Sequence, residues 1–271
     1  MKIGSKEFNV KNKTYIMGIL NVTPDSFSDG GKWNHMDAAL AHAEDMIREG
    51  TAILDIGGES TRPGHQQITE DEEIQRVAPV IEAMKARFDV PVSIDTYKAK
   101  VAAAAIEAGA DLVNDIWGLK YDPEMAGLIA RTGVACCLMH NKNNTEYQDF
   151  YPDMLRETAE CVKLAKEAGI ADDKIILDPG VGFGKNYEQN LETILHMERF
   201  HELGYPMLLG TSRKSVIGLT LDLPADQRVE GTLVTTVMAV MKKYAFVRVH
   251  DIKENQRTIR MTEAILRAGE N

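Results

Sequence analysis

Apolar residues along this chain gather into short unbroken runs, separated by longer stretches in which they recur every three or four positions. Eight runs read as strands, at residues 15–20, 52–56, 92–94, 112–113, 134–139, 174–177, 207–209 and 245–249. Between them the period changes to that of helices. Ile74, Val77, Ile81, Met84 and Phe88 form one continuous apolar stripe, and Thr69 with Glu72 makes a capping-box pattern at its start. Met36, Leu40, Ala43 and Ile47 form the same stripe in the preceding helix.

Gly50, Gly109, Gly133, Gly169 and Gly204 each stand between a helical stretch and the next strand, where a helix C-terminal glycine and a short αβ loop belong. Strand–helix alternation without a linker predicts parallel strands in a single domain spanning 1–271. Eight repeats select an α/β fold of the closed (β/α)8 TIM-barrel type over an open doubly wound sheet. An open dinucleotide-binding sheet would also need a glycine-rich turn after its first strand, and residues 20–25 contain no glycine. Residues 1–14 read as a short hairpin capping the N-terminal end of the barrel.

The 271-residue length suits one such barrel, for which about 250 residues is typical. A net charge of −10 argues against nucleic-acid or membrane-surface binding, while leaving room for an anionic small ligand near a few local cations. The first residues carry no apolar signal core and no run is long enough to span a membrane, so the expected location is cytoplasmic. Cys136, Cys137 and Cys161 lack metal-site spacing and read as buried thiols in a reducing compartment.

Candidate chemistry lies at the strand ends, which build the active site in such barrels. In order they offer Asn21, Asp55, Asp95, Asn114 with Asp115, His140, Asp178, Gly210 with Ser212, Arg213 and Lys214, and Arg248 with His250. An aspartate after a strand is often only a helix cap, but a polar group at nearly every strand end exceeds what a scaffold needs. Asp95, Asn114 and Asp178 match the amino, ring N–H and carbonyl edge of a flat heterocycle. Lys214, Arg248 and His250 suit a phosphate-type anion, and Asn21 offers a neutral oxygen to Mg²⁺, the one cofactor expected.

Two other motifs fail on inspection. In the segment 178–185 three residues separate Gly180 from Gly184, and Asn186 follows Lys185; a phosphate-binding P-loop needs four residues there and a Ser or Thr after the lysine. A glycine-rich βα loop that lets a substrate approach closely fits better. Lys214 as a Schiff-base lysine is disfavoured because it follows Arg213 in a polar loop rather than standing inside an apolar barrel.

Two segments, 18–31 (GILNVTPDSFSDGG) and 55–64 (DIGGESTRPG), resemble the two mobile loops of the dihydropteroate synthase family. Ser93-Ile94-Asp95-Thr96, Val113-Asn114-Asp115-Ile116, Leu138-Met139-His140, Asp178-Pro179-Gly180, the stretch 210–215 (GTSRKS) and Arg248-Val249-His250-Asp251 resemble its remaining motifs in the right order. The resemblance covers nearly the whole chain from Tyr15 onward. It implies condensation of 6-hydroxymethyl-7,8-dihydropterin diphosphate with p-aminobenzoate to 7,8-dihydropteroate and pyrophosphate, for folate synthesis. It also implies that Asp95, Asn114, Ile116, Met139, Asp178, Lys214 and Arg248 hold the pterin. Asn21, Arg248 and His250 would meet the diphosphate, with Asn21 touching Mg²⁺. Thr61, Arg62, Phe183 and Ser215 would shape the p-aminobenzoate site, where sulfonamides mimic that substrate. A homodimer is the family habit.

The implied transferase mechanism follows from charge. Lys214, Arg248 and His250 stabilise the departing pyrophosphate, while a first-loop carboxylate, Asp29 before Asp25, stabilises the pterin-methylene cation. Asp29 beside two glycines also reads as a turn residue. Loop closure would exclude water until the amine attacks. After Gly64, His65-Gln66-Gln67 matches no fixed family pattern. A pterin-binding methyltransferase barrel would share the carboxylates but has no use for a diphosphate clamp. A catalytically silent pterin-binding paralogue should have lost a first-loop or diphosphate residue, and both sets are intact.

Overall fold

The computed structural model describes residues 1–22, 32–59 and 67–269, with only the backbone described for 32–35. Asp25, Asp29, Thr61, Arg62 and His65-Gln66 lie outside the described residues. The chain opens with an antiparallel hairpin, β1 (Lys2–Ile3) and β2 (Lys6–Glu7), which turns at Gly4 with φ 55°. Eight parallel strands follow: β3 (Tyr15–Asn21), β4 (Thr51–Gly57), β5 (Val92–Asp95), β6 (Leu112–Asp115), β7 (Ala135–Met139), β8 (Ile175–Asp178), β9 (Leu208–Leu209) and β10 (Phe246–Val249). Each pairs with its neighbour in the order β8-β7-β6-β5-β4-β3-β10-β9. The two ends meet in a thin seam: Leu177 bridges Met207, and its N–H donates to the Pro206 carbonyl at 3.0 Å. The eight-stranded barrel read from the sequence is therefore present, and the strand positions agree to within one or two residues.

The side chains of these strands alternate between two cores. Ile16, Leu54, Val113, Cys136, Leu138, Leu177, Leu209 and Val247 point outward into the layer beneath the helices. Met17, Ile53, Leu112, Ala135, Cys137, Ile176, Leu208 and Phe246 point inward, where Ile3 and Phe8 of the N-terminal segment join them. The Phe8 ring meets Tyr15 edge-on with centroids 4.9 Å apart and lies 5.6 Å from Phe246. The hairpin thus fills the lower barrel with apolar side chains, as its position before the first strand implied.

Helices α1 (Lys32–Glu49), α2 (Glu70–Arg87), α3 (Ala99–Glu107), α4 (Met125–Thr132), α5 (Phe150–Glu167), α6 (Tyr187–Leu195), α7 (Ser215–Leu221), α8 (Val229–Met241) and α9 (Ile252–Ala268) surround the strands. Thr69 caps α2 by accepting from the Glu72 N–H, but Glu72 turns outward to Arg76, so only half of the capping box forms. In α1 the buried stripe is Ala39, Ala43 and Met46; Met36, Leu40 and Ile47 flank it as partly buried neighbours. The short α7 is an insertion between β9 and the barrel helix α8, which the apolar period did not separate.

Candidate functional site

The inward face changes character two residues further along each strand. Above Ile53, Ser93, Leu112, Ile176 and Phe246 stand Asp55, Asp95, Asn114, Asp178 and Arg248. Because successive inward positions are two apart, strands that bury apolar residues at the base bring these polar ones together at the mouth. Asp55, Asp95, Asn114 and Asp178 are all buried.

Arg248 organises the centre. Its Nε donates to Asp55 Oδ2 at 2.6 Å and a terminal nitrogen donates to Asp95 Oδ2, also at 2.6 Å. Asn114 Nδ2 reaches Asp55 Oδ2 at 3.4 Å. The second oxygens, Asp55 Oδ1 and Asp95 Oδ1, are buried without a partner among the described residues. An unpaired carboxylate oxygen is costly to bury, so these two atoms mark where ligand N–H groups would be rewarded. Burial pushes Asp95 up to about 7 against the opposing pull of Arg248. Burial works against the Arg248 charge, but Asp55 and Asp95 outweigh it and keep the guanidinium protonated.

Asp178 and Lys214 complete the polar rim across the seam. Asp178 Oδ1 accepts from the Gly180 N–H at 2.7 Å, and burial raises its pKa. Lys214 Nζ donates to the Val181 carbonyl at 2.5 Å and lies 4.7 Å from the centre of the Phe183 ring. Burial pushes Lys214 down to about 8, with Arg248 adding to the effect and Asp178 opposing it. A side chain at Gly210 would come within 3.4 Å of Asp178 Oδ2 and 3.8 Å of Lys214 Nζ, so the bare backbone there keeps both groups accessible. Gly180 is bound more tightly still: at φ 69°, a Cβ would lie 1.9 Å from the His140 carbonyl oxygen.

Ile116 and Met139 pack with Tyr97, Trp117 and Phe183 into a small apolar cluster of their own. Polar edge groups beside an apolar wall suit a flat heterocycle. His250 is set by Ser212, whose Oγ accepts from the His250 backbone N–H at 3.1 Å and lies 2.9 Å from its Nδ1. Asn21 stands exposed at the end of β3, close enough that a Cβ on Gly57 would come within 3.5 Å of its Oδ1. Ser215 is exposed at the first position of α7.

Three strand-end groups do not join the mouth. Asp115 faces outward and accepts from the Trp117 and Leu119 N–H groups, organising a turn. His140 is fully buried, with Nε2 2.9 Å from Glu157 and Nδ1 3.0 Å from Lys185. Arg213, at φ 57°, makes a two-pronged pair with Asp251. The period-two count from the strand interior separates Asp115 and His140 from their neighbours, and so could have placed them. Sequence reading missed another buried network: Lys98 Nζ lies 2.7 Å from both Glu59 and Glu73, and the Tyr97 hydroxyl donates to Glu59 at 2.6 Å. Its partners are drawn from two strand–helix units, and no local pattern announces them.

The residues 17–250 match the family model described as pterin binding enzyme. A dihydropteroate synthase of Clostridium beijerinckii is 61% identical over 268 residues, covering 98% of this chain and all of that one. The chain belongs to the dihydropteroate synthase family. A Clostridium difficile member crystallised in the presence of pteroic acid superposes with a TM-score of 0.94 at 50% identity, covering 96% of this chain and 100% of that one. A Yersinia pestis family member in complex with a sulfonamide drug gives a TM-score of 0.92 at 42% identity, covering 98% of this chain and 99% of that one. The family resemblance drawn from the two loop segments and the strand-end motifs is thus established over the whole barrel.

Proposed function

We propose that the barrel mouth joins 6-hydroxymethyl-7,8-dihydropterin diphosphate to p-aminobenzoate, releasing pyrophosphate and forming 7,8-dihydropteroate for folate synthesis. The observation that carries the site assignment is the set of buried acceptors over an apolar base, including the partnerless oxygens of Asp55 and Asp95. A flat ring rich in N–H groups satisfies them, and Asp95, Asn114 and Asp178 hold it at its edge. Met139 and Ile116 line the slot, and Arg248 lies across it between Asp55 and Asp95.

The reaction breaks the bond between the pterin methylene carbon and the diphosphate oxygen, and the electron pair leaves with pyrophosphate. Arg248, Lys214 and His250 place positive charge and N–H donors where the leaving group gains negative charge. The dihydropterin ring shares the positive charge left on carbon. The p-aminobenzoate amine then attacks that carbon and loses a proton. Phe183 and Ser215 form the p-aminobenzoate side, together with Thr61 and Arg62; Asp29 is assigned to the cation. A sulfonamide would compete at that side.

Among the described residues no group of three or more acidic, His or Cys side chains is disposed to hold a metal. The donor set therefore fits Mg²⁺ only as an ion shared with the diphosphate, with Asn21 as its neutral protein oxygen and water for the rest. Bound there, Mg²⁺ would neutralise part of the leaving-group charge. A homodimer is supported by exposed Leu191, Leu195, Leu219, Leu221, Val234 and Met241 on α6, α7 and α8. Light scattering should give twice the chain mass, and a monomer that retains full activity would remove this part. No helix among the described residues is long and apolar enough to cross a membrane. The buried free thiols of Cys136, Cys137 and Cys161 support a cytoplasmic setting.

The test is pyrophosphate release with dihydropterin diphosphate, p-aminobenzoate and Mg²⁺, repeated with each omitted. Release that needs all three and yields dihydropteroate is the expected result. Pterin binding without turnover would reassign the chain as a silent binder.

A further inference from the structure

We propose that Lys185 is a positioning residue for the pterin site, holding the segment 180–183 in the shape that anchors Lys214. This inference rests on the function proposed above. Lys185 closes the glycine-rich stretch after β8, where only a true P-loop spacing would have sent a lysine toward a phosphate. Instead its side chain turns inward and is buried. Nζ has three acceptors, each at 3.0 Å: the Gly180 carbonyl, the Phe183 carbonyl and His140 Nδ1. An ammonium has three N–H donors, so the count closes with none left for a ligand.

The His140 end of this arrangement is itself fixed. Its Nε2 lies 2.9 Å from Glu157 Oε2, and Lys142 Nζ lies 3.1 Å from the other Glu157 oxygen. With the ring proton donated to Glu157, Nδ1 offers its lone pair to Lys185. Burial pushes His140 down to about 4, in keeping with a neutral ring that accepts rather than donates at Nδ1. The His140 carbonyl also packs against Gly180 so closely that no side chain fits there.

The loop delivers this order to the mouth. Between the two carbonyls that Lys185 grips lies Val181, whose own carbonyl accepts from Lys214. The Phe183 ring lies under the Lys214 ammonium. Asn190 braces the same turn from α6, accepting from the Gly182 N–H at 2.6 Å. Lys185 is itself assigned to no substrate; it acts through the backbone, including the Phe183 carbonyl, that places Lys214.

A double-mutant cycle on the full chain tests this, with calorimetric binding of 6-hydroxymethyl-7,8-dihydropterin diphosphate in the absence of p-aminobenzoate. Lys185→Met should weaken binding by about tenfold, while the same change in a Lys214→Met background should alter it by less than about twofold. Additive losses would overturn the proposal, because a residue with a general stability role weakens both backgrounds alike. Should Lys185→Met not fold, His140→Leu removes one of the three acceptors and must show the same non-additivity. Loss of a cooperative melt in both variants also overturns it, since Lys185 would then serve the fold alone. A wild-type chain that does not bind the probe at all would instead sink the underlying functional assignment.

Discussion

The base and the mouth of the barrel are built from the same strands, often from residues only two apart, and they follow opposite rules. At the base, Met17, Ile53, Leu112, Ile176 and Phe246 meet one another and the hairpin's Ile3 and Phe8. The apolar inward surfaces there pack against one another, and the buried Ser93 hydroxyl among them has no hydrogen-bond partner among the described residues. At the mouth, Asp55, Asp95, Asn114 and Asp178 are equally buried, yet two carboxylate oxygens have no partner among the described residues. Among the described residues the base is closed by apolar packing and leaves one neutral hydroxyl unpaired, whereas the mouth leaves two carboxylate oxygens that call for a donor. Stability and recognition are thereby separated along the barrel axis by about one residue pair, roughly 7 Å at strand rise.

The sharpest way to break that division is Asp178→Asn. It keeps the shape but replaces an acceptor-only group with one that presents a donor, and buried polar mismatches are discriminated strongly. Pterin-dependent kcat/KM should fall by about 10³-fold while the melting transition stays in place. Calorimetry with the pterin substrate and a thermal melt check both halves. Unchanged pterin affinity would remove Asp178 from the site.

The converse comes from the base. Phe8→Ala empties part of the plug and should cost about 3 kcal/mol of stability in denaturant unfolding. Its kcat/KM below the transition should stay within about twofold of wild type if the two halves are independent. A parallel loss of activity would mean that the plug sets the mouth geometry.

Titration sharpens the comparison further, because the mouth carries the inward carboxylates and cations, Asp55, Asp95, Asp178, Lys214 and Arg248. Burial lowers Lys214 from its ordinary 10.5 to about 8. Its ammonium is thus disfavoured in the folded chain, so this group's destabilising effect is full below about 8 and is relieved as pH rises through that value toward 10.5. Activity runs the other way. Loss of the ammonium above pH 8 should lower kcat/KM by about tenfold per pH unit, with a limb that Lys214→Met abolishes and Phe8→Ala preserves.

The smallest effect is expected at Cys137, an inward thiol of the base beside Cys136, which faces outward. Burial raises the pKa of Cys137 well above its usual range, keeping it a thiol. Cys137→Ala should cost about 1 kcal/mol of stability with no change in the pH profile.

The strands, the hairpin and the helix-ending glycines were legible because each follows from local pattern. Gly50, Gly109, Gly133, Gly169 and Gly204 all adopt positive φ, between 69° and 117°. Asp55, Asp95, Asn114, Asp178 and Arg248 were legible as strand-end groups, and the structure brings them together. Facing was harder. His140 directly follows Met139, which lines the mouth cluster, and only the alternation of the strand puts the imidazole behind the wall. Least legible were groups whose partners are far along the chain. Arg248 and Asp55 are separated by 193 positions, and Lys98 joins Glu59 to Glu73 inside the protein. Nothing in a local window distinguishes such a lysine from a solvated one.

The seam between β8 and β9 gives the mouth a mechanical role. Elsewhere the barrel wall is stitched by longer strand pairings, but here the join rests on the Leu177–Met207 bridge and the bond from Leu177 to Pro206. Asp178 stands at the end of one lip and Lys214 beyond the end of the other. A ring gripped by both is a clasp across the weakest join of the hoop. Occupancy should therefore slow amide exchange along the lips more than in the well-stitched wall opposite, and an empty barrel should begin to open at this join.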